Sequence, residues 1–327
     1  MSLAGNGTPA PARVGRPLEI EEPLNRYWIH PLSRRLAIAL VPTGVTPNEV
    51  SFAGAILTVA AGASYILSPW PGSVALGFGL HALWHVVDGA DGDLARRTGK
   101  SSTTGEIVDG LCDYGGHIVV YLMLAAALSQ RVGWWAWPAA TAAGLSRIVQ
   151  ANHYETVRKT YVWRAYGVPW LRRALPEHGR AVAWGGPIGG LITLLARGFV
   201  ELSRLVAPDT RAIDLSLAQL ETRPAELVQA RSLCGASGLG GVKRASWLSA
   251  NQRTILLGVS MALGSPVYFF IVEATALNLV MAWSMNRQAA ADRRLAGELE
   301  ALQVRAAARS NSGKSLRDPV AKRGVET

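Results

Sequence analysis

The chain has 327 residues, a formal charge of +10 and an apolar fraction of 49%, and its mean hydropathy is positive. That balance fits a membrane protein, and because the basic residues flank apolar segments they are read as facing anionic lipid headgroups, with no nucleic acid partner. Cys112 and Cys234 are the two cysteines, and the lack of CxxC or Cys/His spacing excludes a disulfide framework and a zinc site.

Residues 1–24 are expected to be a disordered N-terminal arm, rich at its start in Gly, Pro and Ala and lacking the apolar run of a cleaved signal peptide, so the N-terminus is expected to stay in the cytoplasm. Residues 25–41 interleave Tyr27, Trp28, Ile29, Leu32, Leu36 and Leu40 with Arg26, Arg34 and Arg35, the pattern of an amphipathic helix lying in the membrane interface. The segment around Thr46-Pro47-Asn48 then turns the chain into the membrane.

A hydrocarbon layer of ~30 Å takes about 20 apolar residues to cross. Residues 51–67 supply a first stretch, ended by Ser68-Pro69-Trp70-Pro71-Gly72, and residues 73–87 a second. Residues 107–128 supply a third, and residues 134–151 a fourth that opens on Trp134, Trp135 and Trp137, placed as an interfacial belt. The run 254–283 is too long for one crossing, and the break at Gly264-Ser265-Pro266 divides it into a tight helical hairpin.

These stretches predict an all-α polytopic protein with six transmembrane helices, an N-terminal interfacial helix and a helical cytosolic insertion. With the N-terminus inside, the external connections carry Arg131 alone, whereas Arg96, Arg97, Lys100, Arg158, Lys159 and Arg164 fall inside, in keeping with the positive-inside rule. The predicted division is an arm (1–24), the interfacial helix with transmembrane helices 1–4 (25–157), a basic cytosolic or interfacial insertion (158–250), transmembrane helices 5–6 (251–288) and a basic cytosolic tail (289–327). Within the insertion, the glycine-dense piece 181–200 is read as an interfacial or cytosolic helix. A seventh crossing there would put the following basic segment outside.

The end of the second stretch and the start of the third carry the chemistry. They read Asp88-Gly89-Ala90-Asp91-Gly92-Asp93-Leu94-Ala95-Arg96 and, after eight residues, Gly105-Glu106-Ile107-Val108-Asp109-Gly110-Leu111-Cys112-Asp113. Helical residues three or four apart share a face, so Asp88 projects with Asp91 and Asp109 with Asp113. A short turn between antiparallel helices brings the two pairs opposite each other. Four such carboxylates stay ionised beside lipid only with counter-charge, and oxygen-only ligands select Mg²⁺, Mn²⁺ or Ca²⁺. Gly92 and Gly105 leave room for a nucleotide to approach backbone, and Arg96 can pair with phosphate oxygens.

The pattern D-x-x-D-G-x-x-A-R, eight residues, G-x-x-x-D-x-x-x-D resembles the motif of the CDP-alcohol phosphotransferase (CDP-alcohol phosphatidyltransferase) family. The likeness extends more weakly to Thr46-Pro47-Asn48 and to the six-helix plan, and leaves residues 158–251 unexplained. It implies that Asp88, Asp91 and Asp109 hold two Mg²⁺ or Mn²⁺ ions, and that Asp113 is the general base, also touching a metal. Gly92, Ala95, Arg96, Gly105 and Asn48 would line the CDP site. The activity implied is transfer of a phosphoalcohol group, a phosphatidyl group for a donor such as CDP-diacylglycerol, to an alcohol acceptor with release of CMP, in phospholipid biosynthesis. The setting implied is a multi-pass protein of the cytoplasmic (inner) membrane, its active site facing the cytoplasm, and a homodimer.

Arg147 and His117 are the candidate acceptor-pocket residues, and Arg147 within an apolar stretch favours an anionic acceptor. His85, Asn152, His153, Tyr154 and Glu155 fit an acceptor pocket or plain packing equally, Asp93 sits off the shared aspartate face, and Glu273 is a buried acid with no evident partner. A UbiA-type prenyltransferase also pairs aspartates around magnesium, but gives no reason for the Gly-x-x-Ala-Arg element or the Gly105 spacing. A noncatalytic transporter or scaffold is the other alternative.

Overall fold

The computed structural model describes residues 17–67, 71–168 and 210–315, with a few isolated positions between 194 and 205. Most of the N-terminal arm, the breaker residues 68–70, nearly all of the glycine-dense piece 181–200 and the last twelve residues lie outside them. Among the described residues there is no strand, so the all-α expectation holds. In chain order the helices are α1 (His30–Leu40), α2 (Pro47–Leu67), α3 (Pro71–Thr98), α4 (Thr103–Val132), α5 (Ala136–Tyr166), α6 (Thr210–Leu220), α7 (Pro224–Ala245), α8 (Ala250–Ala262), α9 (Val267–Ala274) and α10 (Ala276–Ser315).

The boundaries follow from local chemistry. The helical segment 25–43 ends at Gly44, whose φ of 77° a side chain resists. Thr46 and Glu49 then cap each other reciprocally, the Glu49 N–H donating to Thr46 Oγ1 at 3.3 Å and the Thr46 N–H to Glu49 Oε2 at 2.7 Å. With Pro47 in the first turn, that box starts α2 where the sequence turns the chain inward. Ser102 caps α4 by accepting from the Gly105 N–H at 3.0 Å.

Helices α2 to α5 run alternately up and down. Ser64 Oγ donates to the Ser73 carbonyl at 2.9 Å near one end of the α2/α3 pair, and Ser51 Oγ to Asp91 at 2.5 Å near the other. Antiparallel α3 and α4 meet through His81 and His117, while α4 and α5 join through Glu106 and Lys159 after reversing at Gly133 (φ 66°). Close approach of α4 to α2 is allowed by Gly62 and Gly116, where a Cβ would lie 3.0 Å from Val120 and 3.3 Å from Thr58. The hairpin of α8 with α9 turns at Gly264 (φ 85°) and is fastened by Ser260 Oγ, which accepts from the Phe269 N–H at 2.9 Å.

Two cores result. The first gathers Tyr65, Val120, Tyr121, Leu124, Leu128, Leu257, Phe269 and Phe270 from α2, α4, α8 and α9. The second gathers Ile213, Leu217 and Leu220 of α6, Ala230 and Cys234 of α7, and Leu295, Leu299 and Leu302 of α10. Their spacing of three and four is that of amphipathic helices facing one another. The 40 residues of α10 span roughly 60 Å at ~1.5 Å per residue. Residues 158 and 289, where the sequence sets the insertion and the tail apart, thus fall inside the unbroken helices α5 and α10.

Among the described residues, three helical stretches are long and apolar enough to cross a membrane: Pro47–Leu67, Thr104–Tyr166 and Val267–Ala308. The second contains the whole α4/α5 hairpin apart from its first residue. Large apolar side chains such as Phe52, Ile56, Leu76, Leu122, Ile271 and Leu279 point outward, all more than half exposed. A water-facing surface would be expected to bury such groups.

Candidate functional site

The two aspartate pairs lie on α3 and α4, near the end of that antiparallel pair where Ser102 caps α4. Oxygen atoms of Asp88, Asp109 and Asp113 all lie within 4.8 Å of one another. Asp109 is in hydrogen-bonding reach of Asp91, and Asp113 of Asp88. Asp91 sits beside the trio. It is buried, with one oxygen accepting from Ser51 Oγ at 2.5 Å and the other from the Gly92 N–H. Ser51, on α2, went unmarked in the sequence; its signal was a hydroxyl at the membrane-entering end of an apolar helix.

Three carboxylates so close repel one another strongly unless a proton or cation intervenes. Their donor set is oxygen only, and a hard divalent cation fits it by charge and by chemistry.

The remaining motif residues gather at the same end. Asn48 Oδ1 would stand 3.9 Å from a Cβ placed on Gly105, so α2 and α4 bring these two together. At Gly92 the space that a side chain would fill is approached by the Arg96 guanidinium, 3.3 Å from an ideal Cβ. Arg96, half-exposed, forms an ion pair with Asp93, so Asp93 has a defined partner off the shared aspartate face. Ala95, on α3 beside Arg96, is partly buried.

Beneath the aspartates the α3/α4 contact becomes aromatic. His117 Nδ1 lies 2.7 Å from the Asp113 carbonyl, and its Nε2 lies 3.3 Å from His81 Nε2. Trp84 Nε1 donates to Asp113 Oδ1 at 3.3 Å, a contact the sequence reading missed although Trp84 lies one turn from Asp88 on the same face. His85 pairs with Thr254 at 2.9 Å, which ties α8 to the site. Arg147, partly buried, lies over the Tyr121 ring at 5.9 Å, one turn below His117.

Other acceptor-pocket candidates are committed elsewhere. His153 bonds Ser284 at 3.0 Å, Tyr154 donates to Glu22 at 3.1 Å, Glu155 holds Arg158, and Asn152 accepts from Thr156 at 3.4 Å. Glu273 does have a partner: Arg253 Nε meets its carboxylate at 2.8 Å, with Gln150 bonded to Arg253 at 2.9 Å.

No curated protein matches the chain. The family model for CDP-alcohol phosphatidyltransferases matches residues 44–205, a stretch that opens at the α2 cap and contains the whole aspartate motif. Members of that family are membrane transferases that move a phosphoalcohol group from a CDP-alcohol and generally depend on divalent metal. Residues 44–205, with Asp88, Asp91, Asp109 and Asp113 among them, thus belong to the CDP-alcohol phosphatidyltransferase family.

Proposed function

We propose that this protein transfers a phosphatidyl or related phosphoalcohol group from a CDP-linked donor such as CDP-diacylglycerol to an alcohol acceptor, releasing CMP, as a step of phospholipid biosynthesis. The observation that carries this reading is the convergence of Asp88, Asp109 and Asp113 within 4.8 Å, on two neighbouring helices.

In this reading Asp88, Asp91 and Asp109 would hold two Mg²⁺ or Mn²⁺ ions, with Asp113 also within reach of a metal. When bound, such ions offset the charge of the pyrophosphate and orient it. Asp113 accepts the proton of the acceptor hydroxyl as that oxygen bonds to the phosphorus bearing the alcohol group. The phosphoanhydride bond breaks, and its oxygen leaves with CMP. Gly92 and Gly105 admit the nucleotide, Arg96 pairs with its phosphates, and Ala95 and Asn48 complete the lining; the nearness of Asn48 to Gly105 supports one shared wall. Arg147 is the acceptor-side cation. His117, with both ring nitrogens engaged, shapes the acceptor pocket from below.

The same reading gives six crossings: α2, α3, α4, α5, α8, and α9 with the first part of α10. Arg96, Arg97, Lys100 and Lys159 share the aspartate end, which supports a site facing the cytoplasm from the inner membrane. Exposed Tyr27, Trp28 and Ile38 support α1 and the turn before it lying in the interface.

Purified protein given CDP-diacylglycerol and Mn²⁺ should liberate CMP only when the right acceptor is added, and chelation should stop it. Asp113→Asn is expected to lower kcat by about 10²- to 10⁴-fold while nucleotide binding persists. Turnover intact at saturating donor, with binding lost, would refute the role given to Asp113.

A further inference from the structure

We propose that Trp84 is a positioning residue, whose indole N–H fixes the carboxyl group of Asp113 in the orientation that receives the acceptor proton. This rests on the reading of Asp113 as the general base.

An indole N–H only donates, and a buried one needs an acceptor. Trp84 is 3% exposed, and its Nε1 points to Asp113 Oδ1 at 3.3 Å. The ring has little freedom to turn away. Its centroid lies 4.3 Å from that of His85 and 4.7 Å from that of His117, the latter edge-on. On the α2 side Gly54 leaves the slot open, since a Cβ there would already stand 3.4 Å from the indole Cδ1 and 3.8 Å from Nε1. The indole is therefore seated by α2, α3 and α4 together.

Partner chemistry also assigns the protons beside it. The Asp113 carbonyl only accepts, so His117 carries its hydrogen on Nδ1; a neutral His117 then accepts at Nε2 from His81. Asp113 is thus held at its backbone by His117 and at Oδ1 by Trp84. The bond from Trp84 restrains rotation of the carboxyl group, and with it the direction from which the group meets the hydroxyl. Small errors in the placement of a reacting group cost large factors in rate.

The test is steady-state CMP release by Trp84→Phe, which keeps an aromatic ring and removes the N–H, with CMP affinity measured alongside. A positioning role gives a fall in kcat of roughly 10- to 100-fold, with KM for the CDP-linked donor and CMP affinity as in the wild type. An unchanged kcat in an otherwise active preparation, or a loss carried by KM and CMP affinity together, overturns the assignment. Should Trp84→Phe fail to fold, Gly54 decides. Gly54→Ala fits as an ordinary contact and should leave kcat unchanged, while Gly54→Val crowds the indole and should lower kcat with CMP binding retained. Equal kcat for these two variants overturns the role as well. A wild-type protein that releases no CMP from any CDP-linked donor fails at the earlier step, against the transferase reading itself.

Discussion

Arg253 and Glu273 form an ion pair that is almost completely buried, 2% and 0% exposed, with Gln150 and the Leu248 carbonyl taking further guanidinium hydrogens. A charge in such a place persists only beside its partner, and removing one member leaves the other stranded. Arg253→Met is expected to destabilise the protein by about 3–5 kcal/mol, read as a lowered thermal midpoint in detergent, and Arg253→Met/Glu273→Leu to recover most of that. A single variant as stable as the wild type would show that the pair is not structural. The motif aspartates were legible in the sequence because fixed spacing on one helix face is a local property. Arg253 was not, because it closes a basic stretch in the sequence and meets Glu273 only when the α8/α9 hairpin folds. The partnership of Trp84 with Asp113 was hidden for the same reason, since it crosses from one helix to the next.

Among the elements, the seat of α1 on α3 is unusually tight. A Cβ at Gly89 would stand 2.6 Å from Ser33 Oγ, and that hydroxyl is already bonded to the Val86 carbonyl at 2.8 Å and the Ile29 carbonyl at 2.9 Å. Gly89→Ala should cost about 1–3 kcal/mol through overpacking, and Ser33→Gly in the same chain should restore part of it, both followed by thermal denaturation. Gly89 also stands next to Asp88, so a shift of α1 there reaches the carboxylates, and activity should fall with stability. Helix starts were legible where a cap is written in the chain, as at Thr46–Glu49, and so was the turn at Gly264. The ends of α5 and α10 were not. Their apolar pattern stops where lipid contact would stop, but the helices continue because Arg164 finds Asp292 at 2.9 Å and α6 and α7 cover the extension. The second break, at Thr275, carries no glycine or proline to announce it.

At the scale of the molecule, α10 packs against both bundles: it supplies Leu295, Leu299 and Leu302 to the second core and lies against α5 and α9, whose Phe269 and Phe270 belong to the first. A proline in its middle removes a backbone hydrogen bond and clashes with the preceding turn, at a cost of about 3 kcal/mol or more. Gln288→Pro, placed between Ser284 and Asp292, is therefore expected to separate the melting of the α6–α7–α10 bundle from that of the aspartate-bearing helices and to expose a protease-sensitive point near residue 288. Gln288→Ala should do neither, and one cooperative transition in the proline variant would count against a shared helix. An uninterrupted helix some 60 Å long is also a lever. Swinging it by about 5° around its midpoint carries each tip roughly 2–3 Å sideways, so a grip on the far bundle arrives at α5 and α9 as a displacement comparable to a bond length or two, without any hinge at the water boundary to absorb it.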